Sequence, residues 1–369
     1  MNEDKLLMIN SLGTGGAERV FSKIANFTYN NGIPFQVLTI INNVDYPIDK
    51  NIRSSSLSYG KKISLALLPI YFIKFVFFLS KHKFTLIQSH LFWSNYFNII
   101  ASFFFKHDAQ VVHCVSFLSK FTSFHTYFPH YVLCRFLLKK ASLNIFKSKE
   151  MQKEYVELFD LDIEKTTVIY NPVNVESSVV VPRKIRDFNQ INIAVIGRFH
   201  KTKRHSDLIE IAKGCKGFNF HCVGNGDLLT DFKRLVSFNG LDKQFVFHGW
   251  LDDPREVIKF ADIYLSCSES EGFPNALIEA MSFGLPCIHS DCKTGPREIF
   301  GEKTDSDNSF FEMQYGILFP VGDCSKAIKA LNYIANNSVF YNSLSKRARE
   351  RALDLAKLST LENYINILK

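Results

Sequence analysis

Two successive α/β halves, each a doubly wound parallel sheet, are the fold this sequence predicts, and three observations predict it. Short apolar runs of strand length alternate with longer helical stretches, and the alternation occurs twice. A polar, proline-containing stretch from Asn171-Pro172 to about Gln190 separates the two series. At 369 residues the chain is also long for a single core.

In the first half, Leu6–Ile9 reads as a strand and leads into the turn Gly13-Thr14-Gly15-Gly16. A helix follows from about Ala17 to Asn30, with Gly32 just beyond its end as a stop signal. Apolar runs at Phe35–Ile41, Thr85–Ser89, Gln110–Val115 and Ser142–Phe146 have strand length, and Val168–Tyr170 closes the half. The run Ile63–Leu79 contains Pro69 and Lys74 and is at the lower limit for crossing a bilayer of roughly 30 Å, so it reads as a buried or interfacial helix. The second half restarts with Ile191–Ile196, ending in Gly197, and Ser206 or Asp207 can cap the next helix. Strands are expected at Phe218–Val223, Phe245–Phe247, Ile263–Cys267, Pro286–His289 and Gly316–Phe319. The expected divisions are residues 1–173, a linker over 174–190, a second domain over 191–352, and a C-terminal helix over 353–369 that packs back on the first domain.

Hydrophobic residues make up 46% of the chain and charged residues 22%, which excludes wholesale disorder. The eight cysteines show no C-x-x-C spacing and several lie in apolar strand-like runs, as at Cys222 and Cys267. Buried free thiols and a reducing compartment follow, without a disulfide framework or a zinc site. The N-terminal Met-Asn-Glu-Asp-Lys lacks the basic start and long apolar stretch of a secretory signal, so a cytoplasmic location is expected. The net charge of +8 is uneven: from Lys50 to Lys149 there are 14 Lys and Arg against one acid, Asp108, a local balance of +13. The same stretch holds 16 of the 36 phenylalanines. Basic residues interleaved with large apolar ones suit a surface resting on anionic lipid. No nucleic-acid motif accompanies them, so nucleic acid is not expected as a partner. The plainer alternative is a phenylalanine core with a solvated lysine rim.

In open parallel sheets, ligands bind beyond the carboxyl ends of the strands. Three loops there carry chemistry. Gly15 and Gly16 stand between a strand and a helix N-terminus, where glycine admits close backbone approach and the helix end favours an anion; a tight connection is the alternative. In Gly197-Arg198-Phe199-His200-Lys201-Thr202-Lys203-Arg204, five basic or potentially basic side chains fall in seven positions. Arginine grips phosphate oxygens in pairs and lysine adds a point charge, so together these side chains could neutralise the charge growing on a departing diphosphate; a solvated basic loop is the alternative. In Glu271-Gly272-Phe273-Pro274-Asn275-Ala276-Leu277-Ile278-Glu279, Pro274 suits the first turn of a helix. Free amides from Phe273 to Ala276 could then hold phosphate, flanked by two acids suited to sugar and ribose hydroxyls; a surface pair of acids is the alternative.

The two acids with seven residues between them resemble the E-x7-E motif of family-4 retaining glycosyltransferases with the GT-B fold. Gly197-Arg198 with Lys203 is similar to that family's basic pair, and Gly15-Gly16-Ala17-Glu18-Arg19 to its glycine loop. Ala280-Met281, Gly284-Leu285-Pro286, Gly295-Pro296-Arg297-Glu298 and Tyr315-Gly316 continue the likeness. The resemblance implies two Rossmann-like domains facing each other across a cleft, closing over the donor with a hinge near Pro172. It implies a UDP-sugar co-substrate with no metal or other cofactor. Arg198 and Lys203 would bind the donor diphosphate, Glu279 the ribose, and Glu271 the transferred sugar, helped by backbone amides around Phe273 to Asn275, with Gly272 and Ala276 also at the donor. Gly249 and Trp250 would lie by the nucleobase. His113 is the candidate for a sugar-facing histidine, with Ser116 as the alternative occupant of that place and His90 a further candidate. The expected reaction transfers a hexose or N-acetylhexosamine, N-acetylgalactosamine foremost, to a lipid-diphosphate-linked saccharide acceptor at the inner membrane surface. A UDP-sugar 2-epimerase on the same fold and a non-catalytic membrane-binding protein are the competing expectations.

Overall fold

A strand covered by helices on both faces needs apolar side chains at successive positions, and several runs of this chain supply them. β1 (Lys5–Ile9) is buried from Leu6 onward and β2 (Gln36–Ile41) is buried throughout. The computed structural model describes residues 4–13, 15–60, 62–173, 190–304, 310–358 and 361–369. These form two sheets of seven strands each, one in each of two compact units, residues 1–172 with 359–369 and residues 173–358.

The first sheet adds β3 (Ser54–Ser58), β4 (Leu86–His90), β5 (Asp108–His113), β6 (Leu143–Phe146) and β7 (Thr166–Val168), in the order β3-β2-β1-β4-β5-β6-β7. All its pairings are parallel. The helices are α1 (Gly16–Asn30), α2 (Leu68–Lys81), α3 (Phe92–Ser102), α4 (Phe117–Lys120), α5 (Phe124–Leu137) and α6 (Lys149–Phe159). α1 stops where sequence chemistry says it should, with Gly32 in the left-handed region at φ +70°. α6 is capped by Ser148, whose hydroxyl accepts from the Met151 amide, and ends on Asp160 at φ +54°. α2 buries Tyr71, Phe75 and Leu79, one residue per turn, and leaves Ile70, Ile73 and Phe77 exposed.

The second sheet contains β8 (Ile191–Ile196), β9 (Phe218–Val223), β10 (Phe245–Gly249), β11 (Ile263–Ser266), β12 (Cys287–Ser290), β13 (Phe311–Glu312) and β14 (Ile317–Phe319). Its order is β10-β9-β8-β11-β12-β14-β13, parallel except for the antiparallel edge pair β13–β14. The helices are α7 (Asp207–Gly214), α8 (Leu229–Phe238), α9 (Arg255–Ile258), α10 (Asn275–Ser282), α11 (Pro296–Phe300), α12 (Cys324–Asn336) and α13 (Ser338–Leu358). The strand order reverses between β8 and β11, and the crevice at such a switch point is where an open α/β sheet takes its ligand.

α14 (Leu361–Leu368) belongs to the first unit. Its Tyr364 is buried with Val20, Ile24, Val112, Ile145 and Ile169, and the Gln110 amide donates to the Ile367 carbonyl at 2.9 Å. The expected boundary at 352/353 falls inside α13, whose buried stripe Leu344–Ala348–Ala352–Leu355 keeps helical spacing past it and stays with the second unit. Residues 174–189 of the expected linker lie outside the described residues.

Candidate active site

Three neighbouring strand ends of the second unit are tied together through backbone. Gly197 and Phe199, just after β8, donate to the carbonyls of Val223 and Asn225 at 2.9 Å, and Gly224 donates to the Gly249 carbonyl at 2.7 Å. Gly224 and Gly226 have φ of +137° and +154°, and a Cβ on either would fall 2.2 Å from the Gly197 carbonyl oxygen or 2.4 Å from that of Phe199. Only glycine fits so close a passage. The sequence signal for this passage is Gly224-Asn225-Gly226 at the end of a strand.

Beyond β8, Lys201–Lys203 form one 3-10 turn that ends on Arg204 at φ +48°. The Glu269 amide donates to the Thr202 carbonyl at 2.9 Å, which locks this turn to the loop after β11. Arg204 is consumed structurally: Nε and Nη2 reach Asp207 at 2.8 and 3.1 Å, and Nη1 lies 3.7 Å from Glu269. Lys203 is directed elsewhere. Its stem passes Gly197 and its Nζ donates to Glu271 Oε1 at 2.6 Å. Arg198 stands exposed at the end of β8.

Glu271 is largely enclosed, and burial by itself would raise its pKa. The Lys203 charge and hydrogen bonds from Lys203 and Ser268 outweigh burial and hold the carboxyl below its ordinary range. The backbone of Glu271 is fixed as well. Its carbonyl accepts from Thr294 Oγ1 at 2.6 Å, and Ser270 bridges Lys293. Thr294 and Gly295 both have positive φ, +62° and +91°, and a Cβ on Gly295 would lie 2.8 Å from Pro274 Cδ. The Gly295-Pro296 turn is therefore a close-fitting buttress under Gly272, Phe273 and Pro274, all of which are buried. Asp291 and the guanidinium of Arg297 close the far side, with Nε to Oδ1 at 2.6 Å.

α10 starts at Asn275 behind Pro274, as its composition requires. The first amides of a helix have no intrahelical acceptor and carry partial positive charge, so Asn275 and Ala276 present an anion-binding end at this loop. Glu279 lies one turn further in, buried, on the same side of the helix as Asn275. The Oδ1 of Asn275 is buried without a hydrogen-bond partner. At the end of β10, Gly249 has φ +68° and the indole of Trp250 is half-exposed. His289, in sequence only the end of an expected strand, places its buried Nε2 4.0 Å from Glu271 Oε1.

Gly15, Gly16 and His113 lie in the first unit. Gly15 is the extended N-cap of α1, and a Cβ on Gly16 would meet nothing within 4 Å. His113 is a core residue, with 3% of its surface exposed. Its ring stacks on Phe146 at 4.7 Å, abuts Tyr155 at 4.5 Å, and bonds through Nε2 to Asn144 Oδ1 at 3.0 Å. The strand parity that sets Val112 inward on one face sets His113 inward on the other. Ser116 is also enclosed, with its hydroxyl on Glu154 at 2.7 Å, and His90 is buried with its ring edge against Phe21. Among the described residues, no group of three or more His, Cys, Asp and Glu side chains could hold a metal ion.

Two doubly wound sheets with this strand-end cluster define the class as a glycosyltransferase of the GT-B fold. Two family models cover the chain, Glycosyltransferase Family 4 over residues 14–177 and Glycosyl transferases group 1 over residues 183–351. The chain belongs to the GT-B glycosyltransferases that these models describe. It is 30% identical to the lipopolysaccharide 1,6-galactosyltransferase of Salmonella typhimurium over 224 residues, 58% of each chain. It thus spans little more than half the length of that relative. It is 23% identical, over 98% of each chain, to a Campylobacter jejuni enzyme named N-acetylgalactosamine-N,N'-diacetylbacillosaminyl-diphospho-undecaprenol 4-alpha-N-acetylgalactosaminyltransferase. Among solved structures, HepE of Anabaena in complex with UDP superposes with a TM-score of 0.77 at 19% identity, covering 100% of this chain and 99% of that one. This likeness is one of fold.

Proposed function

We propose that the protein is a family-4 retaining glycosyltransferase. It moves a hexose or N-acetylhexosamine, with N-acetylgalactosamine the first choice, from a UDP-sugar to a lipid-diphosphate-linked saccharide in surface-polysaccharide or glycan assembly. The observation that carries the reading is the Lys203–Glu271 contact at the switch point of the second sheet, beside the N-terminus of α10. A buried acid held by a lysine, next to free helix amides, is matched to a ligand that is anionic at one end and rich in hydroxyls at the other. The names of the Campylobacter and Salmonella relatives support the acceptor class and the polysaccharide setting.

In this reading Arg198, Lys203 and the amides of Asn275 and Ala276 bind the diphosphate and stabilise the charge that grows on it as the anomeric bond breaks. Glu271 and the loop amides from Gly272 to Phe273 fix the sugar, Glu279 takes the ribose hydroxyls, and Gly249 and Trp250 flank the base. The acceptor hydroxyl attacks from the face the diphosphate leaves, its proton passes to a departing phosphate oxygen, and configuration is retained. The cationic side chains and amides supply the charge stabilisation, so the reading requires no metal.

The acceptor's lipid would bring the protein to the cytoplasmic face of a membrane. Exposed Ile70, Ile73 and Phe77 on α2 and Phe124, Phe128 and Phe136 on α5, with Lys81, Lys83, Arg135, Lys139 and Lys140 close in sequence, support peripheral contact through the first unit. No helix among the described residues is long and apolar enough to cross a membrane.

The test is UDP release from a panel of UDP-hexoses and UDP-N-acetylhexosamines, with and without lipid-diphosphate saccharides. Acceptor-dependent release, lost in Glu279→Gln and Arg198→Ala, is the expected result. Conversion of the donor without UDP release would favour an isomerase, and failure to bind UDP would sink the donor site.

A further inference from the structure

His289 presents a problem that the transfer reading leaves unsolved. Its ring is completely enclosed at the end of β12, and its Nδ1 lies 2.7 Å from the Ser290 carbonyl oxygen. A carbonyl only accepts, so Nδ1 carries the hydrogen and, in the neutral ring, Nε2 is a bare acceptor. That Nε2 has no hydrogen-bond partner and faces the Glu271 carboxylate 4.0 Å away. A buried acceptor pointed at another acceptor is costly, and one proton on Nε2 would turn it into a charged donor aimed at Glu271.

The groups around the ring decide whether that proton is held. On β11, its register partner Ser266 is uncharged. The loop after β11 contributes Glu271, which favours the proton, and the turn after β8 contributes Lys203, which opposes it. Asp291 on the ring's own segment favours it, but Asp291 is already paired with Arg297. Cys292 and Tyr264 also face Glu271, and burial keeps both of them neutral. With Lys203 on Glu271, burial and the lysine prevail and the His289 pKa lies below its ordinary value.

We propose that His289 is a positioning residue that takes over Glu271 from Lys203: when a donor diphosphate draws the ammonium away, Nε2 takes one proton from solvent and becomes the counter-ion that holds the carboxylate for the sugar. This rests on the reading that Lys203 binds the diphosphate. The exchange leaves the charge balance of the pocket intact, because the cation that moves to the phosphate is replaced beside Glu271. Nucleotide binding is thereby coupled to proton uptake.

The experiment is calorimetric titration of the whole protein with UDP at about pH 6.5, near the ordinary imidazole midpoint, in two buffers of different ionisation enthalpy. UDP's own terminal phosphate titrates in this range, so the readout is the difference in protons bound between wild type and His289→Asn. Wild type is expected to take up a larger fraction of a proton per UDP, with the excess lost in His289→Asn and in Glu271→Gln. His289→Gln is the second variant should Asn disturb the fold, and histidine nitrogen shifts in wild type with and without UDP read the ring directly. Binding of UDP with equal proton counts in wild type and variants, and an unshifted ring, would overturn the exchange alone. No UDP binding by wild type would overturn the exchange and the donor-site reading together.

Discussion

Lys203 Nζ and Glu271 Oε1, 2.6 Å apart, join the loop after β8 to the loop after β11 across the switch point of the second sheet. Both side chains are mostly covered, so losing Lys203 leaves Glu271 with only the less basic His289 ring as a counter-ion. Lys203→Met should cost the second unit about 2 kcal/mol, between the values for exposed and fully buried pairs. The Glu271 pKa is depressed in the fold, so the pair's stabilisation is complete above the unfolded carboxyl value of about 4.3 and is lost as pH falls through the lower folded value. Urea unfolding at pH 7 should separate wild type from variant, and the gap should close in strong acid. A gap independent of pH would mean that packing, and not charge, holds the lysine.

Gly295 and Gly16 make opposite predictions from the same substitution. At Gly295 a methyl group would sit 2.8 Å from Pro274 Cδ on a backbone with φ +91°. Gly295→Ala should cost about 2 kcal/mol in strain and, by displacing the Gly272–Pro274 loop, weaken UDP binding by about tenfold or more. At Gly16 the space is open, so Gly16→Ala should leave stability unchanged or raise it by up to about 1 kcal/mol. If the glycine loop admits the acceptor, Gly16→Ala keeps UDP affinity and loses acceptor-dependent UDP release. Thermal melts and UDP titrations on the two variants check both statements.

His113 predicts an acid-side weakness in the first unit. Burial pushes its pKa down to about 4, with the Asn144 bond partly opposing the shift. The unfolded ring takes a proton near pH 6.5 and the folded ring only near 4, so the unfolded state binds more protons in between. Stability should therefore rise with pH across that window, with His113 contributing up to about 3 kcal/mol of the rise. Unfolding free energies of wild type and His113→Phe, compared at pH 4.5 and 7, should show a flatter profile for the variant, whatever the cost of leaving Asn144 Oδ1 without its donor. An equal slope in both proteins would assign the acid sensitivity to other buried rings, among them His90 and His205.

The long apolar runs were legible in the sequence because two-sided burial writes itself as consecutive Ile, Val, Leu and Phe, and the loops between them kept their order in the fold. What was not legible depends on neighbours. β3 is Ser54-Ser55-Ser56-Leu57-Ser58, a run with no strand signal of its own, and it is a strand because β2 offers its edge. β13 is two residues long and exists only as the antiparallel partner of β14. β7 lies at Thr166–Val168, ahead of the expected Val168–Tyr170, because its register is set by β6. At the site, Lys203 and Glu271 could be named from spacing, while His289 could not. Nothing in Cys287-Ile288-His289-Ser290 says that a ring nitrogen will face a carboxylate 18 residues away in the chain. The same limit applies to His113, since a strand gives the alternation of side chains but not which face the helices will cover.

The exposed side of α2 supplies the last prediction. Ile70, Ile73 and Phe77 project away from the buried Tyr71, Phe75 and Leu79, and Lys81 Nζ lies 4.1 Å over the Phe77 ring. A free helix face this apolar is unfavourable in water, and a rim cation placed over it can reach lipid phosphate while the ring enters the acyl boundary. Each such side chain contributes about 1.5–3 kcal/mol when fully buried, and each lysine near an anionic surface about 1 kcal/mol. Ile73→Asp with Phe77→Asp should thus lower binding to vesicles containing anionic lipid by well over tenfold. UDP affinity, which belongs to the second unit, should not change. Added salt should weaken the wild type through its lysines, and neutral vesicles should bind it less. If sedimentation with vesicles were the same for wild type and the double variant, α2 would not be the lipid contact, and the phenylalanines of α5 would be the next face to change.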